Sequence, residues 1–241
     1  MAKIPDQPQE VFVPLTQDYL KVFASELVSL IVYGSAATGS YVKGKSDINL
    51  LVVLAEAGMN RLDAAFDTVK DWKKRKVATP LMMTKAFIET SLDSYPIEFL
   101  NMKNSHILIY GEDVLANLAF QPADLRLQIE RELKGKIILL RQGYLETAGS
   151  VRAVKQLIRN SFTAFVSIFN ALLYLKQEKA PRIRRETIKE ASNLFSLDAQ
   201  VFELCSDIKE DKDNLTGPEI IDVFKKYLKE VEKISIIVDE L

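Results

Sequence analysis

Two short apolar runs, Leu30 to Tyr33 and Ile48 to Leu54, bracket a connection rich in glycine, serine and lysine. No other stretch restricts the fold as much. β-Branched and aromatic residues suit a pleated backbone, and uninterrupted apolar runs of this length suit strands covered on both faces. Gly34 stops the first run and Ser46-Asp47 enters the second. The chain must therefore leave one strand, turn, and come back into a neighbouring one within about a dozen residues.

The connection can be read in two ways. Gly39 to Ser46 matches G-x-x-x-x-G-K-S/T letter by letter, with Gly39, Gly44, Lys45 and Ser46 in the defining places. That pattern suggests a P-loop NTPase. A P-loop, however, leaves a strand directly and opens a helix, so that loop amides and helix N-terminus hold the phosphates together. Here the strand ends five residues too early, and Ser46 leads into a second strand. In the other reading the phosphate end is Gly34-Ser35. Gly34 permits a sharp backbone turn, Ser35 is expected to cap a short helix, and Ala36, Ala37 and Gly39 leave room for a ligand. The period of two along a strand then puts Asp47 and Asn49 on one face.

Composition narrows the function classes. The 241 residues suit two modest domains, and nearly half are apolar, enough to bury a core. A formal net charge of −1 gives no overall basic field for nucleic acid, and no apolar run is long enough to span a membrane. With one cysteine, Cys205, and no signal-like leader, a reducing cytoplasm is the expected compartment. Cys205 reads as a small core residue. The single histidine, His106, excludes multi-histidine metal sites.

In chain order, Pro5, Pro8 and Pro14 suggest an extended arm. Thr16 is the expected N-cap of a helix to about Val28, whose face is Tyr19, Leu20, Phe23 and Leu27. A helix over about 60 to 76 carries Trp72 as a core residue. Leu81 to Thr84 reads as a strand, Lys85 to Leu92 as a helix, Ile97 to Met102 as a strand containing Glu98, and His106 to Tyr110 as a further short run. After Pro122 the period becomes helical. Two long helices part near Gly149, and a basic turn at 181–185 precedes shorter helices near 187–194 and 198–208. A last helix is introduced by Pro218 and runs to about Val238. The fold class is α+β: an N-terminal domain of residues 1–120 with a small mixed sheet, then an all-helical bundle of residues 121–241.

Gly34-Ser35, Ser46-Asp47-Ile48-Asn49 and Glu98 together resemble the nucleotidyltransferase superfamily that includes kanamycin nucleotidyltransferase and the minimal nucleotidyltransferases. The resemblance covers about residues 16 to 115, and several members also carry a helical bundle. It implies transfer of a nucleoside monophosphate from a magnesium-bound NTP, ATP being the expected donor, to a hydroxyl of a small molecule or protein. It further implies that Gly34 and Ser35 hold phosphate, that Asp47 and Glu98 are catalytic, and that Asp47, Asn49 and Glu98 ligate a two-metal site. Asn49 departs from the family's second carboxylate. Its carbonyl can ligate magnesium but adds no charge, so one metal would be weak, or the domain would be a degenerate nucleotide- or partner-binding module. The bundle would serve the acceptor. Arg152, Lys155 and Arg159 share a helix face that would meet phosphate or solvent, and Glu130, Glu132 and Glu146 are acceptor-side bases among which nothing selects. A bundle without histidine disfavours ribonuclease chemistry of the Arg-x-x-x-x-x-His type. The oligomeric state is not set by the sequence, and a homodimer stays open.

Overall fold

The computed structural model describes residues 3–178, 181 and 183–241; Arg182 of the basic turn lies outside them. The chain forms two compact units. One comprises the residues up to Tyr95 together with Phe99–Ala119, and the other comprises Pro96–Glu98 with Phe120–Leu241.

The first unit begins with a 3-10 turn, Pro8–Val11, that runs into helix α1, Phe12–Phe23. The expected extended arm is therefore helical from Pro8. Pro14 is accommodated because it lies in the first turn of α1, where a missing N–H breaks no bond. Thr16 is not a cap. It sits inside α1 and its hydroxyl donates to the Phe12 carbonyl at 2.8 Å. The helix stops at Phe23, before the expected Val28, because Ala24 takes a positive φ of 48°. Leu27 thus enters strand β1, Leu27–Tyr33. Strand β2 is Asn49–Leu54, reached through the four-residue helix α2, Ser35–Thr38.

The segment after β2 breaks into more pieces than expected: α3, Glu56–Met59, a 3-10 turn at Leu62–Ala65, and α4, Phe66–Lys73. Strand β3, Leu81–Met83, is followed by α5, Lys85–Thr90, whose N-cap Thr84 accepts from the Phe87 amide at 3.1 Å. Helix α6, Pro96–Asn104, and strand β4, His106–Gly111, complete the series. The sheet has the order β3-β2-β1-β4, with β1 antiparallel to β2 and β4 and with β2 parallel to β3. On one face Leu30, Val32, Ile48, Leu50 and Val52 join Leu15, Tyr19 and Phe23 of α1 in one apolar cluster. Trp72 belongs to it, and its indole N–H donates to Asp18 at 3.2 Å. Alternation thereby turns Asp47 and Asn49 away from that cluster.

Segment 97–102 is a helix, and this corrects the strand assigned to it. Pro96 supplies a first helical residue with φ already set. Ile97, Phe99, Leu100 and Met102 are all buried, so the helix is apolar on more than one side. No 3.6-residue period survives in such a segment, and the sequence mimics a strand. Glu98 accordingly stands in the first turn of α6.

The second unit contains α7, Pro122–Glu146, α8, Val151–Leu175, α9, Arg184–Leu194, α10, Ala199–Lys209, and α11, Gly217–Asp239. Helix α8 touches each of the other four. Val154, Ile158, Phe162, Phe165, Phe169 and Leu172 all lie in the core, as their three- and four-residue spacing requires. Helix α11 opens with a capping box in which the Thr216 amide donates to Glu219 at 2.7 Å.

Candidate functional site

Tyr33, the last residue of β1, stands opposite Asn49, the first of β2. Gly34 then takes φ 74° and ψ −146°. The backbone requires glycine here, and the Asn49 side chain comes close. The dihedral pair lies where side chains are strained, and a Cβ would come 2.9 Å from the side-chain Nδ2 of Asn49, which would have to shift. The turn and the head of β2 are thus fitted to each other at close range. Gly34 is also the N-cap of α2, its carbonyl accepting from the amides of Ala37 at 2.9 Å and Thr38 at 3.2 Å. This corrects the assignment of Ser35 as the cap. Ser35 is the first helical residue, and its hydroxyl makes no hydrogen bond among the described residues.

The Gly39 to Ser46 segment is a connection and does not form a phosphate loop. Gly39 ends α2 in the left-handed region. Val42 to Ser46 then closes a turn in which the Ser46 amide donates to the Val42 carbonyl at 2.8 Å and the Val42 amide donates to the Ser46 hydroxyl at 3.0 Å. No helix begins at Lys45, and β2 comes next. The P-loop reading fails for that reason.

Asp47 immediately precedes the ladder of β2, and a parallel bridge between Ile48 and Val77 fixes its surroundings. The Ile48 amide donates to the Lys76 carbonyl at 2.8 Å, and the Ala78 amide donates to the Ile48 carbonyl at 2.9 Å. Residues 47 and 76 are set side by side as a result, and Lys76 Nζ lies 3.4 Å from Asp47 Oδ1, with the carboxylate side chain 55% exposed. Asn49 is half-buried beside them.

Glu98 is anchored within the second unit. Gln128 of α7, a buried residue, accepts from the Ile97 amide through Oε1 at 2.8 Å and donates from Nε2 to Glu98 at 2.8 Å. One side chain thus caps the start of α6 and orients its carboxylate. Sequence reasoning missed Gln128, although there was a signal: a polar residue on the otherwise apolar face of Leu125, Ile129 and Leu133 needs a buried partner.

Among the described residues no group of three His, Cys, Asp or Glu side chains is placed to hold a metal. At the head of β2 the donors are one carboxylate, Asp47, and one neutral amide, Asn49, with an ammonium beside the carboxylate. Hard oxygen donors of this kind fit one magnesium ion whose remaining positions would be filled by phosphate oxygens and water. From the protein they bring one formal negative charge, that of Asp47.

Most of the remaining candidates are engaged elsewhere. Lys155 pairs with Asp213 at 2.6 Å, and Arg159 bonds the Ile208 carbonyl at 2.9 Å and the Asp211 carboxylate, so the two tie α8 to the end of α10 and the segment after it. Arg152 is exposed. Glu130 bridges Arg126 and Lys134, and Glu132 pairs with Lys136. Glu146 is exposed. Cys205 is fully buried, and burial pushes its thiol up.

His106 stitches the end of α6 to the segment after β4. Its Nδ1 faces the carbonyls of Met102 and Lys103 at 3.1 and 3.0 Å, and its Nε2 faces both oxygens of Asp113 at 3.1 Å. Partial burial raises the Asp113 carboxyl, but bonds from His106 and from the Leu115 and Ala116 amides outweigh it and leave the carboxyl below its ordinary value. A depressed carboxylate stabilises the fold above the unfolded value of about 3.9, and that stability is lost as pH falls through the folded one. Urea midpoints between pH 5 and 2.5 should therefore fall less for His106→Ala than for the unaltered protein. Parallel curves would exclude the pair as an acid-sensitive contact.

No known family pattern matches the sequence, and neither does any curated protein. Solved structures do match. One is the crystal structure of spectinomycin adenyltransferase AAD(9) from Enterococcus faecialis with ATP and spectinomycin. It superposes with a TM-score of 0.51 over 90% of this chain and 98% of its own, at 14% identity. The fold is the nucleotidyltransferase fold. In it a small mixed sheet is followed by helices, and the likeness extends over both units, well beyond residues 16 to 115. No helix among the described residues is long and apolar enough to cross a membrane.

Proposed function

We propose that this nucleotidyltransferase-fold protein transfers a nucleoside monophosphate from an NTP, with ATP the preferred donor, to a hydroxyl on a small molecule or protein. The observation that carries the reading is the close fit of the Gly34 turn against Asn49, with Asp47 two residues before Asn49 on the way into β2. A turn without side-chain bulk lets a triphosphate approach the backbone, and Asp47 and Asn49 offer oxygens beside it. In the transfer, the acceptor oxygen bonds to the α-phosphorus while the bond from that phosphorus to the β-bridging oxygen breaks. Pyrophosphate leaves with that electron pair, and the hydroxyl proton passes to solvent or a nearby base. A bound magnesium ion would neutralise charge on the transferring phosphate. Asp47 holds and orients the donor; Gly34 and Ser35 receive its phosphates. The role of Glu98 rests on the sequence resemblance, and its hydrogen bond from Gln128 gives that carboxylate a fixed orientation.

The first experiment is magnesium-dependent pyrophosphate release from each NTP with a panel of acceptor hydroxyls. Spectinomycin heads the panel because the similar structure was solved with it. Release with one acceptor and preference for ATP is the expected result. A second reading, a non-catalytic nucleotide-binding module, draws on the neutral Asn49. It requires no turnover with any acceptor, and Asn49→Asp should then raise metal affinity.

A further inference from the structure

Lys76 is the basic residue nearest Asp47, and its place does not depend on a flexible side chain. The Ile48–Val77 bridge and the bond from the Ile48 amide to the Lys76 carbonyl hold its backbone beside the head of β2. Its φ of 64° is a strained value for lysine and is kept by the surrounding turn, where the Lys76 amide donates to Lys73 at 3.1 Å. Two neighbouring cations are committed elsewhere. Lys74 pairs with Asp71 at 2.6 Å, and the Arg75 guanidinium lies 4.6 Å from the Trp72 ring centroid. Lys76 turns to Asp47. Of the three side chains Asp47, Lys76 and Asn49, the first carries one negative charge, the second one positive charge and the third none.

We propose that Lys76 is a built-in counter-charge of the nucleotide site, supplying beside Asp47 the positive charge that a second divalent cation would otherwise bring. This rests on the reading that the Gly34–Asp47 region receives a triphosphate. The head of β2 offers two dications only one carboxylate, itself paired to Lys76, so a second dication would depend on the triphosphate's own charge. The site can hold one, provided that an ammonium shares the phosphates. An ammonium on a four-carbon stem is a compact charge that swings readily from a carboxylate to a phosphate oxygen. Without nucleotide, Lys76 occupies Asp47 and competes with a metal. With nucleotide, it moves to the phosphates and leaves Asp47 to the metal. The same residue therefore opposes metal binding in one state and supports ligand binding in the other, a reversal that a merely structural lysine would not produce.

The test is a manganese titration followed by electron paramagnetic resonance. It uses the full chain, with and without α,β-methylene-ATP, for the unaltered protein, Lys76→Gln and Lys76→Arg. Without nucleotide, Lys76→Gln should bind manganese about two- to fivefold more tightly, the range set by losing an exposed ion-pair competitor. With the analogue, the same variant should bind nucleotide about tenfold more weakly, having lost a charge-assisted contact to phosphate. Lys76→Arg should stay near the unaltered protein in both arms, and the unaltered protein should hold one manganese per chain. Two manganese ions per chain, or a Lys76→Gln variant unchanged in both arms, would overturn the proposal. An analogue that does not bind the unaltered protein overturns the nucleotide reading and the phosphate half of this proposal with it. The nucleotide-free arm then still decides whether Lys76 guards Asp47.

Discussion

Asp47→Ala should lower NTP-dependent pyrophosphate release by about a hundredfold or more, the usual scale for removing a group that holds charge in place at a transition state, while leaving the melting temperature nearly unchanged. The two halves of this expectation have separate causes. Asp47 is more than half exposed, belongs to no apolar cluster, and its contact with Lys76 is an exposed ion pair. A pair of that kind contributes at most about 1 kcal/mol to stability. Folding therefore loses little. Turnover loses much, because Asp47 is the one carboxylate at the head of β2 and the adjacent Asn49 cannot replace its charge. Asp47→Asn keeps the shape and removes the charge, so it should be nearly as damaging. Turnover equal to the unaltered protein in either variant would remove Asp47 from the site. A drop matched by a large loss of stability would make its role structural.

The strand–turn–strand that carries the proposed phosphate end could be read in the sequence because its constraints are local. A glycine closing a buried run, small residues after it and an acidic residue at the next run's entry are all consequences of chain geometry, and Gly34, Asp47 and β2 lie where those signals put them. The conspicuous Gly39 to Ser46 pattern could be discarded on local grounds too, since it stands between a one-turn helix and a strand. What the sequence hid is what depends on distant pairing. The Ile48–Val77 bridge joins residues nearly thirty apart, and before that pairing is known Lys76 is one more charge on a solvated helix end. Gln128 similarly acquires meaning only when α6 is seen to start beside it. Residues 97–102 misled for another reason: a helix buried on several sides loses the period by which helices are recognised, and Pro96 serves equally as a strand breaker and a helix starter. Thr16 and Ser35 show a further limit. Each is a residue type favoured at helix starts, yet α1 begins four residues before Thr16 and Gly34 takes the cap of α2.

The largest effect on stability is expected at Tyr227 of α11, where substitution by alanine should cost about 3 to 5 kcal/mol, the range for emptying a large aromatic site. Tyr227 is wholly buried among four rings: Phe165 at 5.4 Å, Phe162 and Phe202 at 6.2 Å, and Phe224 at 6.5 Å between centroids. These rings come from α8, α10 and α11, so the side chain is packed where three helices meet. Its hydroxyl donates to Ser161 at 3.2 Å, and burial holds the phenol well above its ordinary value, so it remains a neutral donor at any physiological pH. Alanine would remove the ring contacts, leave a cavity that rigid aromatic neighbours cannot collapse to fill, and leave the Ser161 hydroxyl without this donor. Tyr227→Phe separates the contributions, because it keeps the ring and loses about 1 kcal/mol with the hydrogen bond. Urea unfolding followed by helical circular dichroism gives the two differences. Hydrogen exchange of amides in α8, α10 and α11 shows whether the loss is confined to the helical unit, which matters because two units that unfold separately would not give one two-state transition. A Tyr227→Ala midpoint within the Tyr227→Phe range would mean that these helices are held together by the aliphatic layers of α8 and not by this aromatic cluster.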